Sequence, residues 1–167
     1  MKFDPVAICR VLSERGVKFV VLGGFATVIH GSPVPTEDID VIPSRDMENL
    51  ERLASALQQM NAATRTSDGP VHTRIDAGFI ASMLNLVTDF GDMDLVFNPA
   101  GRLVNYEQWN DGAKYAQLEP GFVVAVAALD DIIASKSAAN RVKDQRVLPY
   151  LESLRDELRR QANDEVE

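Results

Sequence analysis

Residues 20–42 constrain this chain more than any other stretch. An apolar run, Val20-Val21-Leu22, stops at Gly23-Gly24 and resumes as Phe25-Ala26-Thr27-Val28-Ile29. After the loop Ser32-Pro33-Val34-Pro35 it ends in Thr36-Glu37-Asp38-Ile39-Asp40-Val41-Ile42. β-Branched residues running into two glycines predict a strand that turns sharply into a short helix. Glycine lets backbone approach an anion closely, and a helix start offers free N–H groups and the positive end of a dipole. In Asp38-Ile39-Asp40-Val41 the two-residue period of a strand puts both carboxylates on one face and Ile39 and Val41 on the other. Like charges side by side repel unless a cation sits between them. Oxygen ligands beside a phosphate corner suit Mg²⁺. Gly-Gly alone is usually a turn, and Asp-x-Asp alone is usually a solvated strand. Together in one strand–turn–helix–strand unit they point to metal-assisted chemistry on a nucleoside triphosphate.

A second acidic strand is expected further on. Met83 to Thr88 reads as a strand, Gly91 as the turn after it, and Asp92-Met93-Asp94-Leu95-Val96-Phe97 as its neighbour. Asp92 and Asp94 share a face, with Met93, Leu95 and Phe97 opposite. Carboxylates converging from two rigid strands are what a two-metal site needs. The expected helix Leu129–Ala139 carries Leu129, Ile132, Ile133 and Lys136 on one stripe. A lysine there either reaches an anion or snorkels to the edge. Arg141, Lys143 and Arg146 form the densest basic cluster in the chain, fit to hold phosphate or an RNA acceptor, or simply to solvate a helix start.

The rest supplies the frame. Asp4-Pro5 is a helix start, with Ile8, Val11 and Leu12 at helical spacing and Gly16 as the stop. Val17–Leu22 is a strand, and His30-Gly31 closes the short helix that follows the glycines. His30 reads as a structural helix-end residue before a substrate contact. A helix after Asp46 presents Leu50, Leu53, Leu57 and Met60. Asn61 to Pro70 is polar and reads as an exposed loop, and Val71 to Phe79 has no clear pattern. Tyr106 to Asn110 is a short helix anchored by Trp109. Two strands flank Glu119-Pro120-Gly121. The last amphipathic helix carries Leu148, Leu151, Leu154 and Leu158, with a frayed acidic tail from Gln161. Asp144 either anchors Lys136 or Arg141 or caps that helix.

With 167 residues the chain is expected to form one domain, a core over about 1–127 with a C-terminal helical segment over about 128–160. Fold class is expected to be α/β (α+β), with a mixed, mostly antiparallel sheet flanked by helices. A net charge of −8 argues against broad grip on nucleic acid while leaving room for a local basic patch. The single Cys9 excludes an internal disulfide and fits a reducing cytoplasm. No stretch is apolar enough to span a membrane, and the first residues do not read as a secretory signal.

The Gly23-Gly24/Asp38-Ile39-Asp40 block resembles the signature of the DNA polymerase β-like nucleotidyltransferase superfamily. With Phe25-Ala26, His30-Gly31 and Thr36-Glu37, it is most similar to the AbiEii/MenT type of toxin nucleotidyltransferases. Lys136 through Asp144 resembles that group's Lys-x-x-x-x-Arg-x-Lys-Asp segment. Two positions depart from the pattern: Gly24, where many members carry Ser, and Val34-Pro35, where members of the closer group often carry Arg. The resemblance implies NMP transfer from an NTP to an acceptor hydroxyl with release of pyrophosphate. It implies Asp38, Asp40 and Asp94 as catalytic metal ligands for two Mg²⁺ (Mn²⁺ as substitute), with Asp94 as third carboxylate in preference to Asp92. It implies Gly23, Gly24, Thr36, Lys136 and Arg141 at the nucleotide, with Lys136 facing the triphosphate. The implied acceptor is a tRNA 3′ end and the implied partner an antitoxin protein. The other readings are a small-molecule, aminoglycoside-type nucleotidyltransferase and a non-catalytic, antitoxin-like module that binds nucleotide or partner.

Overall fold

The computed structural model describes residues 2–80 and 84–166. Fifteen elements are described in chain order. They are α1 (Pro5–Glu14), β1 (Phe19–Leu22), α2 (Gly23–Ile29), β2 (Asp38–Pro43), α3 (Met47–Gln59), β3 (Ala63–Thr66), β4 (Gly69–Val71), α4 (Ala77–Ile80), β5 (Leu84–Thr88), β6 (Gly91–Leu95), α5 (Tyr106–Asp111), β7 (Lys114–Glu119), β8 (Phe122–Val126), α6 (Leu129–Ala139) and α7 (Val142–Asp164). Met83, expected to open β5, lies outside the described residues.

The strands form one sheet in the order β4-β3-β5-β6-β2-β1-β8-β7. The β2–β6 and β1–β8 pairs are parallel and the other five are antiparallel. The sheet is therefore mixed and mostly antiparallel, as expected. The two parallel pairs sit around its centre, and β2, the Asp38–Asp40 strand, lies between β1 and β6. One face of β2 and β6 turns Ile39, Val41, Met93 and Leu95 into the core, where they join Ile8 and Leu12 of α1 and Leu53 and Leu57 of α3. All eight are buried. By the period of two, that burial leaves Asp38, Asp40, Asp92 and Asp94 together on the other face.

Local chemistry sets the boundaries. Asp4 Oδ1 accepts from the Ala7 N–H at 3.0 Å, with Pro5 at the first helical position. Cys9 is buried in α1, and burial pushes its thiol up to about 12, which leaves it inert as a nucleophile. Asn49, buried in α3, clasps the start of β1 and the end of β2. Its Oδ1 accepts from Lys18 N at 2.7 Å, and its Nδ2 donates to Lys18 O at 3.1 Å and Ser44 O at 2.8 Å.

Two expectations are corrected. The segment from Asn61 to Pro70 is not an open loop: it holds β3 and the start of the edge strand β4, with Thr64 opposite Val71 and Thr66 opposite Gly69. Thr66 Oγ1 donates to Gly69 O at 2.6 Å, and Gly69 takes φ +110°. The strands are polar because they lie at the sheet's end, where little apolar surface needs cover. The last helix begins at Val142 and runs through the expected tail to Asp164, with Pro149 in its interior. Proline there removes one N–H from the helical ladder. A capping box between Arg141 and Asp144 starts that helix six residues before Leu148.

Candidate active site

The site grows from strand register. Leu22, the last residue of β1, stands opposite Asp40, and across the parallel β2–β6 pair Asp38 faces Asp92 and Asp40 faces Asp94. Paired strands lie about 4.8 Å apart, so carboxylates on paired positions are neighbours. One ligand oxygen from each of Asp38, Asp40 and Asp94 lies within 4.8 Å of the other two, and all three residues are half-buried.

The diglycine corner is shaped by these acids. Gly23 takes φ +66°, and a Cβ there would stand 2.0 Å from Asp40 Oδ2. Glycine is thus required twice, by backbone conformation and by the approach of a carboxylate. At Gly24 a Cβ would meet Thr36 Oγ1 at 2.8 Å and Thr36 Cβ at 3.1 Å. Thr36 fills the space that a side chain at position 24 would need. The Thr36 hydroxyl lies 3.0 Å from Asp38 O and 3.2 Å from Asp38 Oδ1 and donates toward both. Helix α2 starts at Gly23 itself, two residues before the apolar segment.

Charge balance at the cluster is incomplete. Burial, then the negative charges of Asp38 and Asp94, push Asp40 up to about 6, against the pull of Lys136 and Lys143. Asp94 is also raised: burial outweighs the charge and hydrogen bond of Arg65, and Asp38 and Asp92 add to the rise. Three hard oxygen donors with surplus negative charge fit a divalent cation of the Mg²⁺ class, whose binding would relieve that surplus.

Lys136 and Arg141 meet at one buried acid. Asp144 is fully buried. It accepts from Arg141 N at 3.1 Å, Nε at 2.7 Å and an Nη at 3.2 Å. Lys136 Nζ stands 3.7 Å from its other side, and the lysine side chain is 19% exposed. Burial alone would raise the Asp144 carboxyl, but the Arg141 hydrogen bonds and the Arg141 and Lys136 charges hold it below the usual carboxylate range. Asp144 therefore both caps α7 and anchors the two cations. His30 Nε2 lies 2.7 Å from Ala127 O, tying the end of α2 to the chain leaving β8.

The residue that sequence reasoning missed is Arg65. It comes from β3, inside the stretch read as a loop. One Nη stands 2.6 Å from Asp94 Oδ1, and the other stands 3.0 Å from Asp92 Oδ2 and 3.3 Å from Leu86 O. The available signal was modest: Ala63-Thr64-Arg65-Thr66 ahead of Asp68-Gly69 is a short polar strand before a turn.

No family model and no curated protein matches the sequence. Solved structures do match. A Thermotoga maritima protein assigned as a nucleotidyltransferase superposes with a TM-score of 0.57 at 17% identity, over 89% of this chain and 90% of that one. The lincosamide antibiotic adenylyltransferase LnuA, bound to lincomycin, gives a TM-score of 0.62 at 15% identity, over 92% of this chain and 99% of that one. The fold is the nucleotidyltransferase fold. Within this nucleotidyltransferase-fold chain, the three-carboxylate cluster beside Gly23-Gly24 is the metal-capable group among the described residues. No described helix is long and apolar enough to cross a membrane.

Proposed function

We propose that this chain is a metal-dependent nucleotidyltransferase that moves NMP from an NTP to an acceptor hydroxyl and releases pyrophosphate. The observation that carries the reading is the meeting of Asp38, Asp40 and Asp94 beside the diglycine corner on a nucleotidyltransferase fold. Asp38 and Asp40 would hold the cation that organises the triphosphate, and Asp40 and Asp94 the one beside the acceptor. Bound Mg²⁺ supplies charge neutralisation at the phosphates and makes the acceptor hydroxyl more acidic. Asp94 takes the hydroxyl proton, the acceptor oxygen bonds to the α-phosphorus, and the bond to the β-phosphate oxygen breaks. Lys136, held from behind by Asp144, faces the β- and γ-phosphates. Gly23 and Gly24 offer backbone N–H groups to the phosphates, and Thr36 and Arg141 border the nucleotide. Positioning and charge neutralisation lower the barrier; the protein forms no covalent bond to the nucleotide.

The acceptor we propose is a tRNA 3′ end, in a cytoplasmic toxin controlled by an antitoxin protein. Arg141, Lys143 and Arg146, close to Lys136 in sequence, would supply the basic patch such an acceptor needs in an acidic chain. A second reading, a small-molecule nucleotidyltransferase, is favoured by the match to nearly the full length of LnuA. Incubation with each labelled NTP, Mg²⁺, and either total tRNA or a panel of lincosamides and aminoglycosides separates the two. Label on RNA is the expected result, and label on a drug selects the second reading. Label on neither, with Mg²⁺ and all four nucleotides present, refutes both. Growth arrest on expression, relieved by an Asp40 substitution, tests the toxin role.

A further inference from the structure

Four carboxylates occupy one face of β2 and β6, yet only three of them gather. Asp38, Asp40 and Asp94 converge, whereas Asp92, which stands opposite Asp38 in register, does not join them. Arg65 accounts for the difference. β3 is two strands from β6, with β5 between, a span of roughly 10 Å at two strand spacings. Only a long side chain crosses it. The guanidinium fork arrives with one nitrogen on Asp94 and the other on Asp92, and the second nitrogen also reaches the Leu86 carbonyl of β5. A planar fork holds its donors at fixed separation and so sets the geometry of two carboxylates at once, whereas an ammonium is a point charge with rotatable donors.

We infer that Arg65 is a positioning residue that presents Asp94 to Asp38 and Asp40 and keeps Asp92 out of the cation cluster. This rests on the metal-site reading above and deepens it. Arg65 acts on the chemistry only through Asp94. Its loss has two consequences of opposite sign. Asp92 is released to become a fourth ligand and a positive charge leaves the site, so an isolated cation binds more tightly. Asp94 loses the partner that fixes its orientation, so turnover falls.

The test is calorimetric titration of the nucleotide-free protein with Mn²⁺. Wild type is compared with Arg65→Gln, Arg65→Lys, Asp92→Asn, Arg65→Gln/Asp92→Asn and Asp40→Asn. Arg65→Gln tightens Mn²⁺ binding about tenfold, the order expected when a unit positive charge leaves the surroundings of a divalent cation. Adding Asp92→Asn cancels the gain, and Asp92→Asn alone stays near wild type. In the labelled-NTP assay Arg65→Gln and Arg65→Lys both lower kcat about tenfold or more with the KM for NTP little changed. Unchanged or weakened Mn²⁺ binding in Arg65→Gln overturns the inference, as does a gain that Asp92→Asn fails to cancel. If Arg65→Gln does not fold, Arg65→Lys decides: wild-type kcat there shows that charge alone suffices and refutes positioning. Loss of Mn²⁺ binding in Asp40→Asn with no effect of Arg65→Gln sinks the inference and leaves the site standing. Wild-type Mn²⁺ binding in Asp40→Asn sinks the site itself.

Discussion

Replacing Asp40 with Asn should stabilise the cation-free protein at neutral pH. Asp40 is half-buried and faces Asp38 and Asp94, and these surroundings lift it from 3.8 to about 6. A group whose folded pKa lies above its unfolded value binds more protons folded than unfolded. Native stability then falls as pH climbs between the two values, from about 4 to about 6. At about 1.4 kcal/mol per pH unit that gap is about 3 kcal/mol. It is lost by pH 7 in wild type and retained by Asn, which carries no charge to bury. For a chain of this size about 3 kcal/mol corresponds to roughly 6–12 °C in Tm. The assay is thermal melting of both proteins at pH 4, 6 and 8, in EDTA and in millimolar Mg²⁺. The two proteins should melt together at pH 4 in EDTA, and Asp40→Asn should melt higher at pH 8. Mg²⁺ should raise wild type at pH 8, little at pH 4, and Asp40→Asn at neither. Should Asn melt no higher than Asp at pH 8 in EDTA, or Mg²⁺ raise both equally, the picture of a destabilising acid cluster that a cation neutralises is wrong.

Gly23→Ala should abolish transfer and lower stability by about 2 kcal/mol or more, since the added methyl meets Asp40 Oδ2 in a left-handed conformation; wild-type activity in a folded variant would disprove that fit. Lys136→Gln should weaken NTP binding and lower kcat/KM by a hundredfold or more on the order of lost phosphate contacts, while Mn²⁺ binding survives; equal loss of both would place Lys136 in the metal site instead. Asp144→Asn should destabilise by about 2 kcal/mol at pH 7, because the mostly buried Lys136 loses its partner while the exposed Arg141 returns to water. The wild-type carboxyl is held low, so its contribution is lost as pH falls through that lowered value. The two proteins' urea midpoints should therefore converge in acid, and a gap that persists there would contradict the role given to the charge.

Much of the frame was readable from residue order. Asp4-Pro5 announced α1, and Leu129–Ala139 is helical over its whole expected length. Those signals are local: a cap, a stop, or an apolar stripe acts within a few residues. The β3–β4 hairpin was not readable, because Thr64, Arg65 and Thr66 bury too little apolar surface to show a period of two. Helix α7 was read too short because Pro149 and the charged residues after Arg141 look like boundaries. The buried Asp144, held by Arg141 and Lys136, overrides them.

By itself, the sequence determined that Asp38 shares a face with Asp40, and Asp92 with Asp94, since alternation along a strand is a property of the backbone. It also determined that Gly23 and Gly24 must be the corner. Strand order decided the rest. Placing β6 parallel beside β2 made Asp94 the neighbour of Asp40, and placing β3 two strands further on brought Arg65 within reach of Asp92 and Asp94. Such pairings depend on which distant segments share hydrogen-bond ladders, and that choice is made by the burial of the whole sheet rather than by any stretch of it.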